Sequence, residues 1–180
     1  MLSRPTEQSP RSNAAPKPLP ASLERVAELI GDTRWADGFS AREILTVAAY
    51  FHAYEAARDD AIIDEGAHDA HLCLIAKGRV RIVKTGADGE PRQIATSGAG
   101  RTFGEMSLVD GEPRSASVLA DDSTVFLVLT RGSFEQLMDE SPRLAIKILL
   151  KVPKLTSQRL RQTTAALVDH LVLRNENLPA

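Results

Sequence analysis

The stretch FGEMSLVDGEPRSASV, Phe103 to Val118, decides how this chain is read. Gly104 permits a tight backbone approach. The residues after it begin a short helical turn whose free N–H groups point back toward that glycine, an arrangement that favours an anion. Arg114 follows Pro113 in an extended run between strands, and its planar fork suits two phosphate oxygens better than a lysine would. Glu105 is a fixed acceptor nearby, suited to sugar hydroxyls. Phosphate and sugar recognition within one short cassette is what a nucleotide requires.

Around the cassette the chain reads as short strands. LCLIAKG (72–78), RVRIVKT (79–85), RQIATSG (92–98), SASVLA (115–120) and TVFLVLT (124–130) are each apolar or alternating. Val80 and Ile82 alternate with Arg79 and Arg81, and Gly86-Ala87-Asp88-Gly89 between two runs predicts a hairpin turn. Nine of the eleven glycines fall between 66 and 132, so turn signals recur at the spacing of a closed sandwich or jelly-roll barrel, expected over 54–130.

Helices flank the strands. Leu23, Val26, Ala27 and Ile30 recur at helical spacing behind Ser22 as N-cap, and Gly31 stops that helix. A second starts at Ser40, with Glu43 completing a capping box and Ile44, Leu45, Ala48 and Phe51 on one stripe. Trp35 and Phe39 between them read as a staple of this cap onto the core, the sharper alternative being an aromatic that stacks on a ligand. After Leu129 the helical period returns in SFEQLMDE. Pro142 opens a long helix with an apolar stripe of Leu144, Ala145, Ile148, Leu149, Val152 and Leu155. Pro153 is expected to interrupt it, with a bend near Ile148–Lys151, before the pattern resumes through Leu160, Thr164, Leu167, Val168 and Leu171.

The first twenty residues hold five of the ten prolines and little that is apolar, so 1–20 is expected to be a disordered leader, or alternatively a Pro-rich docking peptide. The expected organisation is then one domain over 21–180: a helical cap at 21–53, the barrel at 54–130 and C-terminal helices at 131–173. In 180 residues, 43% hydrophobic content is enough for a real core. The single cysteine excludes a disulfide scaffold and fits a reducing compartment; with no membrane span and no signal-peptide core, a cytoplasmic location is expected. The net charge of −2 hides an asymmetry: 21–140 carries 12 Lys+Arg against 21 Asp+Glu, whereas 141–180 carries 7 against 2. A whole-chain basic footprint for nucleic acid is therefore excluded, and no helix-turn-helix or other DNA-binding domain is expected.

Other chemistry is thinner. His68 and His71 bracket Asp69, but a third ligand of suitable spacing is missing and no metal is expected. A cupin site would need further histidines on strands, whereas His52 and His170 fall in stretches read as helical. Gly98, Gly100 and Gly104 lack the spacing and βαβ setting of a dinucleotide loop. Cys73 between Leu72 and Leu74 reads as a buried structural thiol. Local spacing suggests no catalytic triad or carboxylate pair, so no enzyme is expected.

Residues 103–118 closely resemble the phosphate-binding cassette of cyclic nucleotide-binding domains, whose pattern runs F-G-E-aliphatic-A-L-aliphatic, three residues, P-R, small, A, then small or hydroxyl. Ser107 replaces a frequent Ala and Ser117 a frequent Thr. Glu65-Gly66 with His68-Asp69 is similar to the family's E-G-D-x-G-D turn, Leu74 to Gly78 to its Y-x-I-x-x-G strand, and Arg159-Leu160-Arg161 to the R-L-R ending of its long helix. The resemblance spans about residues 35–170. It implies an eight-stranded jelly-roll β-barrel, mainly β with flanking helices, that senses a 3′,5′-cyclic mononucleotide without catalysis. Arg114 would bind the cyclic phosphate with the Ser115 hydroxyl and the Ala116 N–H. Glu105 would take the ribose 2′-hydroxyl, with Gly104, Met106 and Ser107 lining the cassette. Ser115 fits cAMP, though a hydroxyl there also meets guanine in members that prefer cGMP. Thr163 and Thr164, or Arg159 and Arg161 as a lid, would meet the base. Output would run through the C-terminal helix to a separate effector protein, with a homodimer through that helix as a further expectation. The alternatives are a ligand-independent interaction scaffold and a receptor for c-di-GMP.

Overall fold

Two serines open the first helices. The computed structural model describes residues 15–176, with side chains through 165 and at 167 and 168. At the head of α1 (Leu23–Gly31) the Arg25 N–H donates to Ser22 Oγ at 3.3 Å. At the head of α2 (Ala41–Ala48) the expected capping box is complete: the Glu43 N–H donates to Ser40 Oγ at 3.3 Å and the Ser40 N–H to Glu43 Oε2 at 2.8 Å. Of the expected stripes, Val26, Ile30, Ala48 and Phe51 are buried, whereas Leu23 and Leu45 face solvent and Leu29 and Val47 are enclosed instead, because a two-turn helix can present either of two neighbouring rows. A 3-10 turn at Arg34–Ala36 places Trp35, 4% exposed, in a stack on Phe39 (ring centroids 5.4 Å apart) and edge-on to Phe51 (5.9 Å). This aromatic cluster is packing within the helical cap.

The described residues form nine strands, one before these helices and eight after: β1 (Lys17–Pro18), β2 (His52–Ala56), β3 (Ala61–Ile63), β4 (His71–Lys77), β5 (Arg79–Thr85), β6 (Pro91–Gly98), β7 (Thr102–Phe103), β8 (Ser117–Ala120) and β9 (Thr124–Thr130). They pair antiparallel in two sheets, ordered β1-β2-β9-β4-β7 and β3-β8-β5-β6. The jelly roll is therefore a pair of open sheets, edged by β1 and β7 and by β3 and β6, not a closed eight-stranded barrel. Both sheets feed one core: Ala56, Ile63, Cys73, Ile75, Val80, Phe103, Val118, Ala120, Phe126 and Val128. The β5–β6 hairpin turns at the expected tetrad, with Gly89 at φ +81°, its N–H bonded to Gly86 O at 2.9 Å.

Three boundaries differ from expectation. The leader 1–20 gives way at its end to β1, where Lys17 and Pro18 pair with Glu55 and Tyr54; both strand residues are not buried, so the backbone ladder rather than apolar burial orders them. Residues 1–14 lie outside the described residues. The first core strand begins at His52, inside the expected cap, and His52 is a strand residue rather than a helical one. Finally, α4 (Arg131–Glu140) is followed by α5 (Pro142–Glu176), a single 35-residue helix that runs through Pro153 without interruption. Proline forfeits one intrahelical hydrogen bond, which does not by itself end a helix of this length. Leu144, Ala145, Ile148 and Val152 of α5 are buried, whereas Leu149, Leu160, Leu167 and Val168 are exposed. The chain divides into two compact units, with the boundary between Gln136 and Leu137 inside α4.

Candidate functional site

The cassette is built between two left-handed glycines. β7 ends at Phe103, Gly104 turns at φ +76°, α3 (Glu105–Asp110) makes a turn and a half, and Gly111 at φ +74° closes it. Gly104 is required for room as well as conformation: a Cβ there would sit 2.8 Å from Arg114 Nη1, 2.8 Å from the His71 carbonyl and 3.0 Å from Ile63 Cδ1. The helix sends Glu105, Ser107 and Leu108 inward and leaves Met106 and Val109 outside. Glu105 is 2% exposed, a buried carboxylate that only a site or a bonded network accommodates.

Arg114 is held by both its backbone and its side chain. Its N–H donates to Ala67 O at 2.9 Å and its carbonyl accepts from the Gly66 N–H at 2.8 Å, which clamps the cassette to the loop between β3 and β4. The guanidinium, only 2% exposed, donates through Nη1 to Gly104 O at 2.8 Å and His71 O at 3.0 Å. Its other edge meets Asp69, Nε to Oδ1 at 3.1 Å and Nη2 to Oδ2 at 3.3 Å. His71 Nδ1 lies 2.9 Å from the same Oδ2. Burial works against the ionised carboxylate of Asp69, but the hydrogen bonds and charge of Arg114, with His71, outweigh it and hold its carboxyl below the ordinary range. Burial, then the charge of Arg114, push the His71 imidazole below its ordinary value, against the pull of Asp69. Cys73 is fully enclosed, and burial pushes its thiol far up, so it stays a neutral packing group.

A second braid holds the far side. Lys84 Nζ donates to the Ser115 carbonyl at 2.6 Å and to Glu65 Oε1 at 2.5 Å. Glu65 also accepts from the Thr85 N–H, while its own N–H donates to Ser117 Oγ, both at 2.9 Å. The Glu65-Gly66 landmark thus stitches the loop to the cassette and to β5. The fold brings Gly104, Glu105, Met106, Ser107, Arg114, Ser115 and Ala116 into one loop–helix–loop, with Ser115 exposed and Ala116 half-buried. Arg159, Arg161, Thr163 and Thr164 lie on α5, where Arg161 Nη1 donates to Ser157 Oγ at 2.8 Å. Arg161 and Thr164, with Leu160, Ala165 and Val168, line an open hollow of about 590 Å³.

Sequence reasoning did not assign Asp69 or Lys84 to the site. Lys84 carried a signal, since it follows Val80 and Ile82 at period two and so shares their face of β5. Asp69 carried none beyond its place in the turn before β4, because its partner is 45 residues away.

The family model for the cyclic nucleotide-binding domain matches residues 54–141. A solved cyclic nucleotide-binding domain from Methylobacillus flagellatus superposes with a TM-score of 0.72 at 32% identity, covering 88% of this chain and 85% of that one. The chain belongs to the cyclic nucleotide-binding domain family. It is similar to the cyclic AMP receptor protein of Thermus thermophilus, 33% identical over 125 residues, and to human cGMP-dependent protein kinase 2, 35% identical over 81 residues. Those matches cover 69% and 44% of this chain but only 56% and 11% of the respective relatives. Among the described residues, no helix is long and apolar enough to cross a membrane.

Proposed function

We propose that this chain is a non-catalytic sensor of a 3′,5′-cyclic mononucleotide, cAMP in preference to cGMP, acting from the cytoplasm through its C-terminal helix on a separate effector protein. The observation that carries this reading is Arg114, a buried guanidinium fixed by two backbone carbonyls with its remaining edge against an exchangeable carboxylate. Such a cation is oriented in advance for an anion that accepts along one edge. In this reading Arg114 holds the cyclic phosphate with the Ser115 hydroxyl and the Ala116 N–H. Glu105 accepts from the ribose 2′-hydroxyl, and Gly104, Met106 and Ser107 line the seat. Arg159, Arg161, Thr163 and Thr164 are the base contacts, and a second copy joined along α5 is the expected dimer. The base preference draws on Ser115 and on the relative named for cyclic AMP, with the kinase named for cGMP keeping guanine as the competing base.

Isothermal titration of the full chain with cAMP, cGMP and c-di-GMP tests this. Saturable binding of cAMP, weaker binding of cGMP and none of c-di-GMP is expected. Binding of neither mononucleotide overturns the reading in favour of a ligand-independent scaffold, and c-di-GMP binding alone would make the chain a dinucleotide receptor.

A further inference from the structure

The donors of Arg114 are nearly exhausted. A guanidinium has five N–H groups. One from Nε and one from Nη2 go to Asp69, and the two of Nη1 go to the His71 and Gly104 carbonyls, which leaves one. A phosphate accepting from two donors cannot bind without taking at least one from a present partner. The carbonyls belong to the backbone and cannot leave, whereas Asp69, with its side chain 48% exposed, can turn away. It has somewhere to go, because His71 Nδ1 already lies 2.9 Å from Oδ2 on a side chain that is 18% exposed.

We propose that Asp69 is an internal stand-in for the ligand's phosphate, and that nucleotide binding hands its carboxylate from Arg114 to His71 while the imidazole takes a proton from solvent. This rests on the cyclic-nucleotide reading above and adds to it an exchange step particular to these two side chains. No bond other than that to the proton forms or breaks.

The sign of the coupling follows from the charges around His71. Asp69 attracts the protonated ring and Arg114 repels it. From α4, Arg131 bonds the Ala70 carbonyl through its backbone and pairs its guanidinium with Glu135; from β9, the residue opposite His71 is the uncharged Thr130. Glu105 of α3 acts on Cys73, and His68 precedes in the same loop. Without ligand, burial and Arg114 keep the imidazole neutral below its ordinary titration range. A phosphate neutralises Arg114 and frees Asp69 to face His71 alone, and both changes favour the imidazolium. Binding then takes up protons, so affinity rises as pH falls through the window between the two His71 values.

Titration calorimetry of the full chain with cAMP at pH 5.5 and pH 8.0, each in two buffers of different ionisation heat, reads this directly. Expected are proton uptake at the lower pH and an affinity about threefold higher there than at pH 8.0. His71→Gln should abolish both, and Asp69→Asn should bind more tightly than the wild type at pH 8.0 with a shallower pH profile, since only the relief of Arg114 repulsion remains. The wild-type series needs no variant to fold. A flat wild-type profile without proton uptake, pH dependence that survives in His71→Gln, or weaker binding by Asp69→Asn each overturns the exchange while leaving the sensor reading intact. Absence of binding by both cAMP and cGMP at either pH overturns the sensor reading and the exchange together.

Discussion

In the proposed reading Arg114 serves two purposes that a substitution cannot separate without a stability control. Its guanidinium satisfies the Gly104 and His71 carbonyls and balances Asp69. Arg114→Ala therefore strands buried acceptors as well as removing the proposed phosphate partner, and it should lower the melting temperature as well as weaken cAMP binding by about 2–4 kcal/mol. Calorimetry below the new melting temperature checks this; unchanged affinity in folded protein would remove Arg114 from the site. Glu105→Gln should weaken cAMP, and the wild type should bind 2′-deoxy-cAMP poorly; equal binding of ribo and deoxy ligands would take Glu105 out of the sugar role. The same residues set an acid limb for stability. His71 is held below its ordinary 6.5, so the unfolded chain binds more protons and stability falls as pH drops from about 6.5 toward the folded value. Asp69 is held below its ordinary 3.8, so its contribution is present above that pH and is lost as pH falls through the folded value. Thermal melts from pH 8 to pH 3 should show two declining stretches, and His71→Gln should flatten the upper one.

At the scale of elements the cassette demands glycine at 104 for a reason that Gly89 does not share. Gly89 also has positive φ, yet a Cβ there meets nothing within 4 Å, whereas at Gly104 it meets the His71 carbonyl at 2.8 Å. Gly89→Ala should cost about 1 kcal/mol, the left-handed penalty alone, while Gly104→Ala should cost distinctly more and weaken nucleotide binding. Equal melting-temperature losses for the two would show that the cassette backbone gives way. This contrast also marks what the sequence could carry. Elements specified locally were legible: the Ser40–Glu43 box, the Gly86–Gly89 turn, and the β4 and β9 strands as apolar runs. The cassette was legible because its glycines, Glu105 and Arg114 lie within a dozen residues. What depended on distant pairing was not. Strand β1 exists only because Lys17 and Pro18 find Glu55 and Tyr54, and two open sheets differ from a closed barrel only in which edges meet. Pro153 marks the converse case, a strong local signal overruled by a helix whose other hydrogen bonds continue on either side.

For the whole molecule the question is what a ligand in the cassette does to α5. Residues 21–140 carry a net charge of −9, and residues 141–180 carry +5. The helix keeps Leu160, Leu167 and Val168 exposed within a single chain. A segment with opposite charge and an uncovered apolar row can change its surroundings without breaking a core, and Pro153 gives it one point of reduced backbone bonding. A ligand shifts such a segment only through contacts that differ between its arrangements, so a coupling of about 1–3 kcal/mol is expected. We predict that cAMP increases amide hydrogen-exchange protection in 154–171 as well as in 103–118. Deleting 156–180 should weaken cAMP binding without abolishing it, because the proposed phosphate and ribose contacts belong to the cassette. If those exposed leucines are instead covered permanently by a second copy, exchange in 154–171 will be slow with and without ligand and will quicken on dilution below the dimer's dissociation constant. That pattern would make α5 a static seam, and the output would then have to arise from the cassette's own outward face, at Met106 and Val109.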